Sequence, residues 1–399
     1  MSRIGIVISR EDIASLTIKD ALLERVDWEE GDDCLRYDRF ELRTFDRLHL
    51  HLNEVALEFN DPDLLIFASR HSGDSGALCS THFTGNFGTA DFGGRPMELA
   101  KPAPRAVKRV LNQLERIAPA EYDVSMECTH HGPSNVGCPS FFVELGSDET
   151  RWSDERAATS IARSILELDN ELVDTNKVVT VFGDGHYAPR STRIVTETDW
   201  SVGHVAADWA TGDMTDKMIQ AAFDKSNTER AVVERDPLAE RISNLGYDVV
   251  SERWIRETEG VALGFVQEVE DRLGSIDDGV RLGEPAKDQV AYEIRTLPDE
   301  LLREVNGIDP NRVLAAAREA FVAFETAENG NKLKPRVAAP SDSMREFVEK
   351  LCSILASKYD VVDWTSDDII VKQEKFDASA AADLGVPEGP KFGKLAAGE

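Results

Sequence analysis

Six of the eight histidines stand in motifs that follow short apolar runs, and the densest group reads Glu127-Cys128-Thr129-His130-His131-Gly132-Pro133. Imidazole titrates near neutrality and is the commonest protein ligand for metals. A carboxylate beside it can orient a tautomer, bind a metal or take a proton. Pro133 disfavours helical geometry at Gly132, so the histidine pair is expected to open a loop. Two further apolar runs end alike: residues 64–68 lead to His71, and residues 178–182 lead into Gly183-Asp184-Gly185-His186-Tyr187-Ala188-Pro189-Arg190. Thr81-His82-Phe83-Thr84-Gly85-Asn86 adds an imidazole, hydroxyls and a carboxamide around a glycine that allows close backbone approach. Gly183 and Gly185 suit a backbone N–H nest for an oxyanion or phosphate. His204 is a further candidate for the same site.

These residues need a scaffold that brings strand ends together. Short apolar runs at 4–8, 64–68, 122–128, 178–182, 230–234 and 246–250 alternate with helical patterns at 12–23, 104–117, 155–168 and 215–223, the signature of an α/β fold. In such folds the loops beyond the carboxyl ends of the strands form the binding crevice, so one site is expected. Pro104 opens a helix with Val107, Leu111, Leu114 and Ile117 at helical spacing, which puts Arg105, Lys108 and Arg109 on one face. With Lys101 they form a basic patch able to contact a phosphate backbone. Near residue 253 the character changes. Residues 254–399 read as an appended α+β module, with a helix over 309–326 striped by Leu314, Ala317, Phe321 and Phe324, a second over 342–356, a strand at 369–372 and a turn-rich tail at 384–395.

Composition excludes several classes. The chain has 399 residues, 45 basic against 74 acidic, for a net charge of −29. Self-repulsion of that size disfavours folding in dilute buffer, whereas at molar salt the Debye length falls to about 3 Å and the charges are screened. A salt-loving cytoplasm is the economical reading. No apolar stretch reaches the roughly 18 residues of a membrane span. The five cysteines lack C-x-x-C spacing, which argues against a disulfide framework or a cysteine-type zinc site. No Gly-Lys-Ser/Thr follows the 183–190 motif, and no G-x-G-x-x-G follows the first strand, so neither a P-loop nor a dinucleotide fingerprint is present.

The series Phe67-Ala68-Ser69-Arg70-His71-Ser72, Thr81-His82-Phe83-Thr84-Gly85-Asn86-Phe87-Gly88, Glu127 to Pro133, Phe141-Phe142-Val143-Glu144-Leu145-Gly146-Ser147, Gly183 to Arg190 and Val202-Gly203-His204 closely resembles the archaeal and plant type of D-aminoacyl-tRNA deacylase over about residues 1–252. The departures are Phe87 in place of Trp, Asp184 in place of Gly, and the acidic extension, which looks like a haloarchaeal feature. The resemblance implies hydrolysis of the ester joining a D-amino acid to the 3′ end of tRNA by a single-chain, zinc-dependent enzyme. It also implies a three-layer α/β/α fold with a central, largely parallel mixed sheet, similar to peptidyl-tRNA hydrolases and phosphorylases. The catalytic domain is then 1–253. His82, His130, His131 and His186 are the expected catalytic and zinc-holding set, with Glu127 as base, ligand or orienter. His71, Thr84, Asn86, Gly183, Gly185 and Tyr187 are expected to hold the substrate, and Lys101, Arg105, Lys108 and Arg109 to touch tRNA. The same residues fit a metal-free route assisted by the terminal 2′-OH of the tRNA. They also fit a peptidyl-tRNA hydrolase-like or phosphorylase-like enzyme. A non-catalytic tRNA-binding protein would explain the basic helix but not the histidines. A cytoplasmic monomer with no DNA or membrane partner is expected.

Overall fold

The computed structural model describes residues 2–168 and 176–359 and the backbone of 362–364 and 369–371. The chain divides into two compact units, Met1–Glu259 and Gly260–Glu399.

The strands of the first unit are β1 (Ile4–Ser9), β2 (Glu29–Gly31), β3 (Cys34–Tyr37), β4 (Phe40–Phe45), β5 (Leu64–Arg70), β6 (Leu78–His82), β7 (Gly85–Asn86), β8 (Glu98–Leu99), β9 (Asp123–Met126), β10 (Ser140–Leu145), β11 (Val178–Asp184), β12 (Ser201–Ala207), β13 (Arg230–Val233) and β14 (Asp248–Val249). An eight-stranded sheet runs β2-β3-β4-β1-β5-β10-β6-β9. Its centre, β4 to β10, is parallel, while β6 turns antiparallel to β10 and pairs in parallel with β9. A second sheet, β12-β11-β13-β14, is wholly parallel. β1 and β10 are buried at every position, which explains their nearly continuous apolar sequence.

The mixed α/β architecture expected from the alternating runs is present, but its strands form two sheets rather than one. The short segment after β9 joins them. Glu127 N–H donates to Thr81 O on β6, whereas Cys128 N–H donates to His186 O and Thr129 N–H to Val205 O on β12. The strand expected over 122–128 therefore ends its regular pairing at Met126, because Glu127 still bonds β6 while Cys128 turns to His186 and Thr129 to β12.

Helix Ile13–Arg25 begins with Asp12 accepting from Ser15 N–H, and it packs on β1, β5 and helix Glu155–Leu166. Helix Pro104–Ile117 lies against β6, β9 and β12. Val7, Phe67 and Phe142 are covered instead by irregular chain through Leu52, Val55, Phe59 and Val136.

In the second unit, strands Val280–Leu282, Glu293–Thr296, Ala323–Ala327 and Lys332–Ala339 form a sheet with antiparallel pairing, accompanied by helices that include Pro310–Ala320 and Ser343–Leu355. The single helix expected over 309–326 is corrected. It stops at Ala320, and Val322 N–H bonds Ala338 O as the chain enters a strand. Ala317, Phe321 and Phe324 still share one core, so their spacing reported burial and mimicked helical period across two elements. A strand stands at Ile369–Val371; Lys372 and the 384–395 tail lie outside the described residues. Among the described residues no helix is long and apolar enough to cross a membrane.

Candidate active site

Alternate residues of a strand face the same side of a sheet. The register aligns Phe67 with Phe142 and Ser69 with Glu144, then Phe142 with His82, Glu144 with Ser80, and Ser80 with Ser125. One face of the large sheet thus carries Ser69, Glu144, Ser80, His82 and Ser125, and two-residue steps beyond Ser69 and Ser125 reach His71 and Glu127. Four strands meet there, at the junction with the second sheet.

The side chains converge accordingly. His71 Nδ1 lies 3.0 Å from Glu127 Oε1 and 3.4 Å from Glu144 Oε2, and His82 Nε2 lies 3.4 Å from Glu144 Oε1. His186 Nε2 stands 3.1 Å and His130 Nε2 3.8 Å from Glu127 Oε2. The Glu127 contacts have ion-pairing distance without hydrogen-bond direction, so both of its buried oxygens and His82 Nε2 remain unsatisfied acceptors or donors. The tautomers follow from the backbone. His82 Nδ1 is 3.1 Å from Phe83 O, His130 Nδ1 2.8 Å from Cys128 O and His131 Nδ1 2.7 Å from Gly132 O. Each Nδ1–H donates to a carbonyl, which leaves Nε2 as the atom available to a ligand. His131 holds a left-handed φ of 45°, and a Cβ at Gly132 would meet Gly94 N at 2.3 Å, so glycine there lets the 93–94 loop close over the pair.

Electrostatics separates the imidazoles into two classes. Burial opposes charge on His71, yet Glu127 and Glu144 overcome it and raise its pKa to about 10. His82 is likewise raised against its burial, chiefly by the charge of Glu144. Burial and the neighbouring His82 push His130 down to about 4, and burial with His130 and His82 holds His131 well below the usual range. Burial would raise both carboxyls, but His186 and His71 keep Glu127 well below the carboxylate range, and His82 with His71 lowers Glu144 to about 2. Two anionic glutamates are thus paired with a protonated His71, beside two neutral imidazoles, His130 and His131.

Three sets each bring one ligand atom per residue within 4.8 Å of the others: His82, His130 and His131; Glu127, His130 and His186; and His71, Glu127 and Glu144. Imidazole and carboxylate donors, three Nε2 atoms pre-oriented by backbone acceptors, and unsatisfied oxygens on Glu127 fit a bound divalent metal.

His130, His131 and His186 line a cleft of about 480 Å³ together with Asn86, Phe92, Thr129, Trp209 and Asp213. Tyr187 Oη stands 3.4 Å from His71 Nε2. Thr84 is buried with its hydroxyl unsatisfied, and Asn86 Nδ2 donates to Gly93 O and Arg95 O, fixing a loop of the cleft.

Several residues are placed elsewhere. Gly183 lines a different cleft, with Arg190, Arg193 and Arg235. The expected nest is filled from within: the Asp184 carboxylate accepts from Gly185 N–H and from the N–H and hydroxyl of Ser191. Lys108 is also corrected, since its ammonium donates to Val195 O and Thr198 O instead of facing solvent. Lys101 and Arg109 are exposed and Arg105 half-buried. His204 is structural, between Thr129 Oγ1 at 3.0 Å and Ala100 O at 2.9 Å. Glu144 is the site residue that the motif reading did not single out. Its signal is a lone charge in Ser-Phe-Phe-Val-Glu-Leu, a strand otherwise free of ionisable groups.

The family model described as D-aminoacyl-tRNA deacylase matches residues 58–256, which contain every residue of this cluster. A D-aminoacyl-tRNA deacylase of Natronomonas pharaonis is 46% identical over 99% of this chain and 94% of its own. The chain belongs to the D-aminoacyl-tRNA deacylase family. Another family member, from Halobacterium salinarum, is 44% identical over 99% of this chain and 90% of its own. The deacylase of Methanococcoides burtonii is 31% identical over 99% of this chain and 91% of its own, so the match includes the C-terminal unit. A crystal structure of a conserved protein of unknown function superposes with a TM-score of 0.59 at 32% identity, covering 65% of this chain and 98% of that one.

Proposed function

We propose that this chain hydrolyses the ester that joins a D-amino acid to the 3′ end of tRNA, acting as a monomer in the cytoplasm, with zinc as its metal. The observation that carries the reading is the set His82, His130 and His131, whose Nδ1–H groups are committed to carbonyls while one ligand atom from each falls within 4.8 Å of the others. Bound there or on Glu127, His130 and His186, zinc would lower the pKa of a water toward about 7 and polarise the ester carbonyl.

The remaining chemistry belongs to the chain. Glu127 is anionic, and with Oε2 3.1 Å from His186 Nε2 it either takes a proton or orients that imidazole. His71, charged up to about pH 10, is not a base; it holds Glu127 and Glu144 ionised and in place. Neutral His130 and His131 present lone pairs rather than protons to the cleft. Thr84 and Asn86 sit where the β6–β7 turn would meet the carbonyl or the terminal ribose. Lys101, Arg105 and Arg109 remain the proposed RNA-contacting face.

The test is turnover of D-Tyr-tRNA, L-Tyr-tRNA and N-acetyl-aminoacyl-tRNA in molar KCl. Hydrolysis of the D-ester with the other two spared supports the reading. Equal hydrolysis of the N-acetyl substrate favours a peptidyl-tRNA hydrolase-like enzyme.

A further inference from the structure

Two large aromatic side chains stand far out of the first unit. Phe92 is 72% exposed and Trp209 66% exposed, and both line the cleft of His130, His131 and His186. Exposed rings that converge on one concave site indicate a binding surface rather than incidental exposure.

Both rings are carried on fixed backbone. The Phe92 carbonyl accepts from Gly132 N–H, beside the histidine pair, and the Met97 N–H to Gly88 O bond closes the base of the same loop. Trp209 follows the end of β12 in the one-turn helix Asp208–Thr211, and its indole lies along the His186 ring, with centroids 6.0 Å apart and planes 23° from parallel. The backbone under both rings is therefore ordered before a ligand arrives, and the Trp209 ring is further held against His186.

The charges of the cleft select the ligand. Asp91 and Asp213 line it, and no lysine or arginine does, so a phosphate is disfavoured while the neutral face of a nucleobase is acceptable. Molar salt also weakens every phosphate contact through loss of counterion release, whereas base–aromatic stacking does not depend on charge. In a chain of net charge −29, stacking must then carry an unusual share of RNA affinity.

We propose that Phe92 and Trp209 form a stacking platform for the 3′-terminal adenine of the tRNA, placing its ribose against His130, His131 and His186. This rests on the deacylase reading. The base is attached to the same ribose that bears the ester, so a group that grips the base must stand beside the imidazoles, as both rings do. Because stacking ignores the amino acid, the platform sets KM and leaves discrimination between D- and L-esters to the inner site.

The experiment has two arms, both in molar KCl. Steady-state hydrolysis of D-Tyr-tRNA is measured for wild type, Phe92→Ala, Trp209→Ala and Trp209→Phe. Each alanine variant is expected to raise KM about 10-fold with kcat within about 2-fold, and Trp209→Phe to recover most of the loss. In the second arm, binding of uncharged tRNA is compared with binding of the same tRNA lacking its terminal adenosine. Wild type is expected to prefer the complete tRNA by about 10-fold, and both alanine variants to lose that preference. Unchanged KM and an intact preference in the alanine variants overturn the platform. Absence of D-Tyr-tRNA hydrolysis by wild type overturns the deacylase reading instead, and the binding arm then decides the platform alone. Loss of wild-type preference for the terminal adenosine, with capture of the rings by a protein partner, also overturns it.

Discussion

Glu144 Oε1 and His82 Nε2 face each other at 3.4 Å across two antiparallel strands, one buried ionisable group on each. The second oxygen of Glu144 reaches His71 at 3.4 Å, so one carboxylate supports two imidazoles. Glu144→Gln keeps the shape and removes the charge. It is expected to lower kcat at least about 100-fold with KM within about 2-fold, because the lost charge acts on the two imidazoles that Glu144 orients. Near wild-type kcat in this variant would dismiss Glu144 as a positioning residue.

His130→Ala and His131→Ala should each abolish measurable hydrolysis while the melting temperature in high salt moves by only a few degrees, since both rings end in a loop of the cleft. Protein purified without chelator should carry zinc, these variants less of it, and chelation should lower activity reversibly. Full activity of metal-free wild type would instead favour assistance by the terminal 2′-OH.

Lys108 gives a prediction opposite to that for Lys101, Arg105 and Arg109. Because its ammonium serves the carbonyls of Val195 and Thr198, Lys108→Met is expected to cost about 2 kcal/mol of stability and leave KM unchanged. Alanine at Lys101, Arg105 and Arg109 together should raise KM with little loss of stability. Denaturation curves and steady-state kinetics on the two proteins separate the roles, and the assignment fails if the effects are reversed.

His204 sets an acid limit. Burial lowers its pKa to about 4 against 6.5 when unfolded. Between those values the unfolded chain holds a proton that the folded chain does not, so stability falls as pH drops from about 6.5 to about 4 and is unaffected by this group above 6.5. The contribution is on the order of 3 kcal/mol across that window. His204→Gln, which can still donate to Ala100 O, should flatten that part of the stability profile measured by chemical denaturation; an unchanged slope would falsify the assignment.

Salt should act in the direction opposite to that of most RNA-binding enzymes. With a net charge of −29, both melting temperature and turnover are expected to be highest in molar KCl and to fall toward about 0.1 M, where carboxylate repulsion is no longer screened. A turnover maximum near 0.1 M would contradict this.

The histidines were legible because each follows an apolar run, and strand ends are where α/β folds collect function. Glu144 was not, because a lone carboxylate inside a buried strand looks like one polar position until the register places it beside His71 and His82. β6, β10 and β12 escaped the reading of elements for a related reason: Ser80, Thr81 and His82, then Glu144, then Gly203 and His204 interrupt their apolar patterns. Helical spacing grouped Lys108 with Arg105 and Arg109 but could not show that the carbonyls of Val195 and Thr198 take its ammonium. At Phe321 and Phe324 apolar spacing identified the core and misassigned the element, since Phe324 faces that core from a strand.

Glu127 N–H bonds Thr81 O in the first sheet and Thr129 N–H bonds Val205 O in the second, with Cys128 N–H on His186 O between them. The residues that stitch the sheets together are thus the ones that carry the Glu127 carboxylate and lead into the histidine pair. A slip of either sheet by one residue would invert the facing of every side chain there. Loosening this seam is consequently expected to displace Glu127 and the histidine pair together with the sheet pairing, which ties the site to the architecture of the first unit.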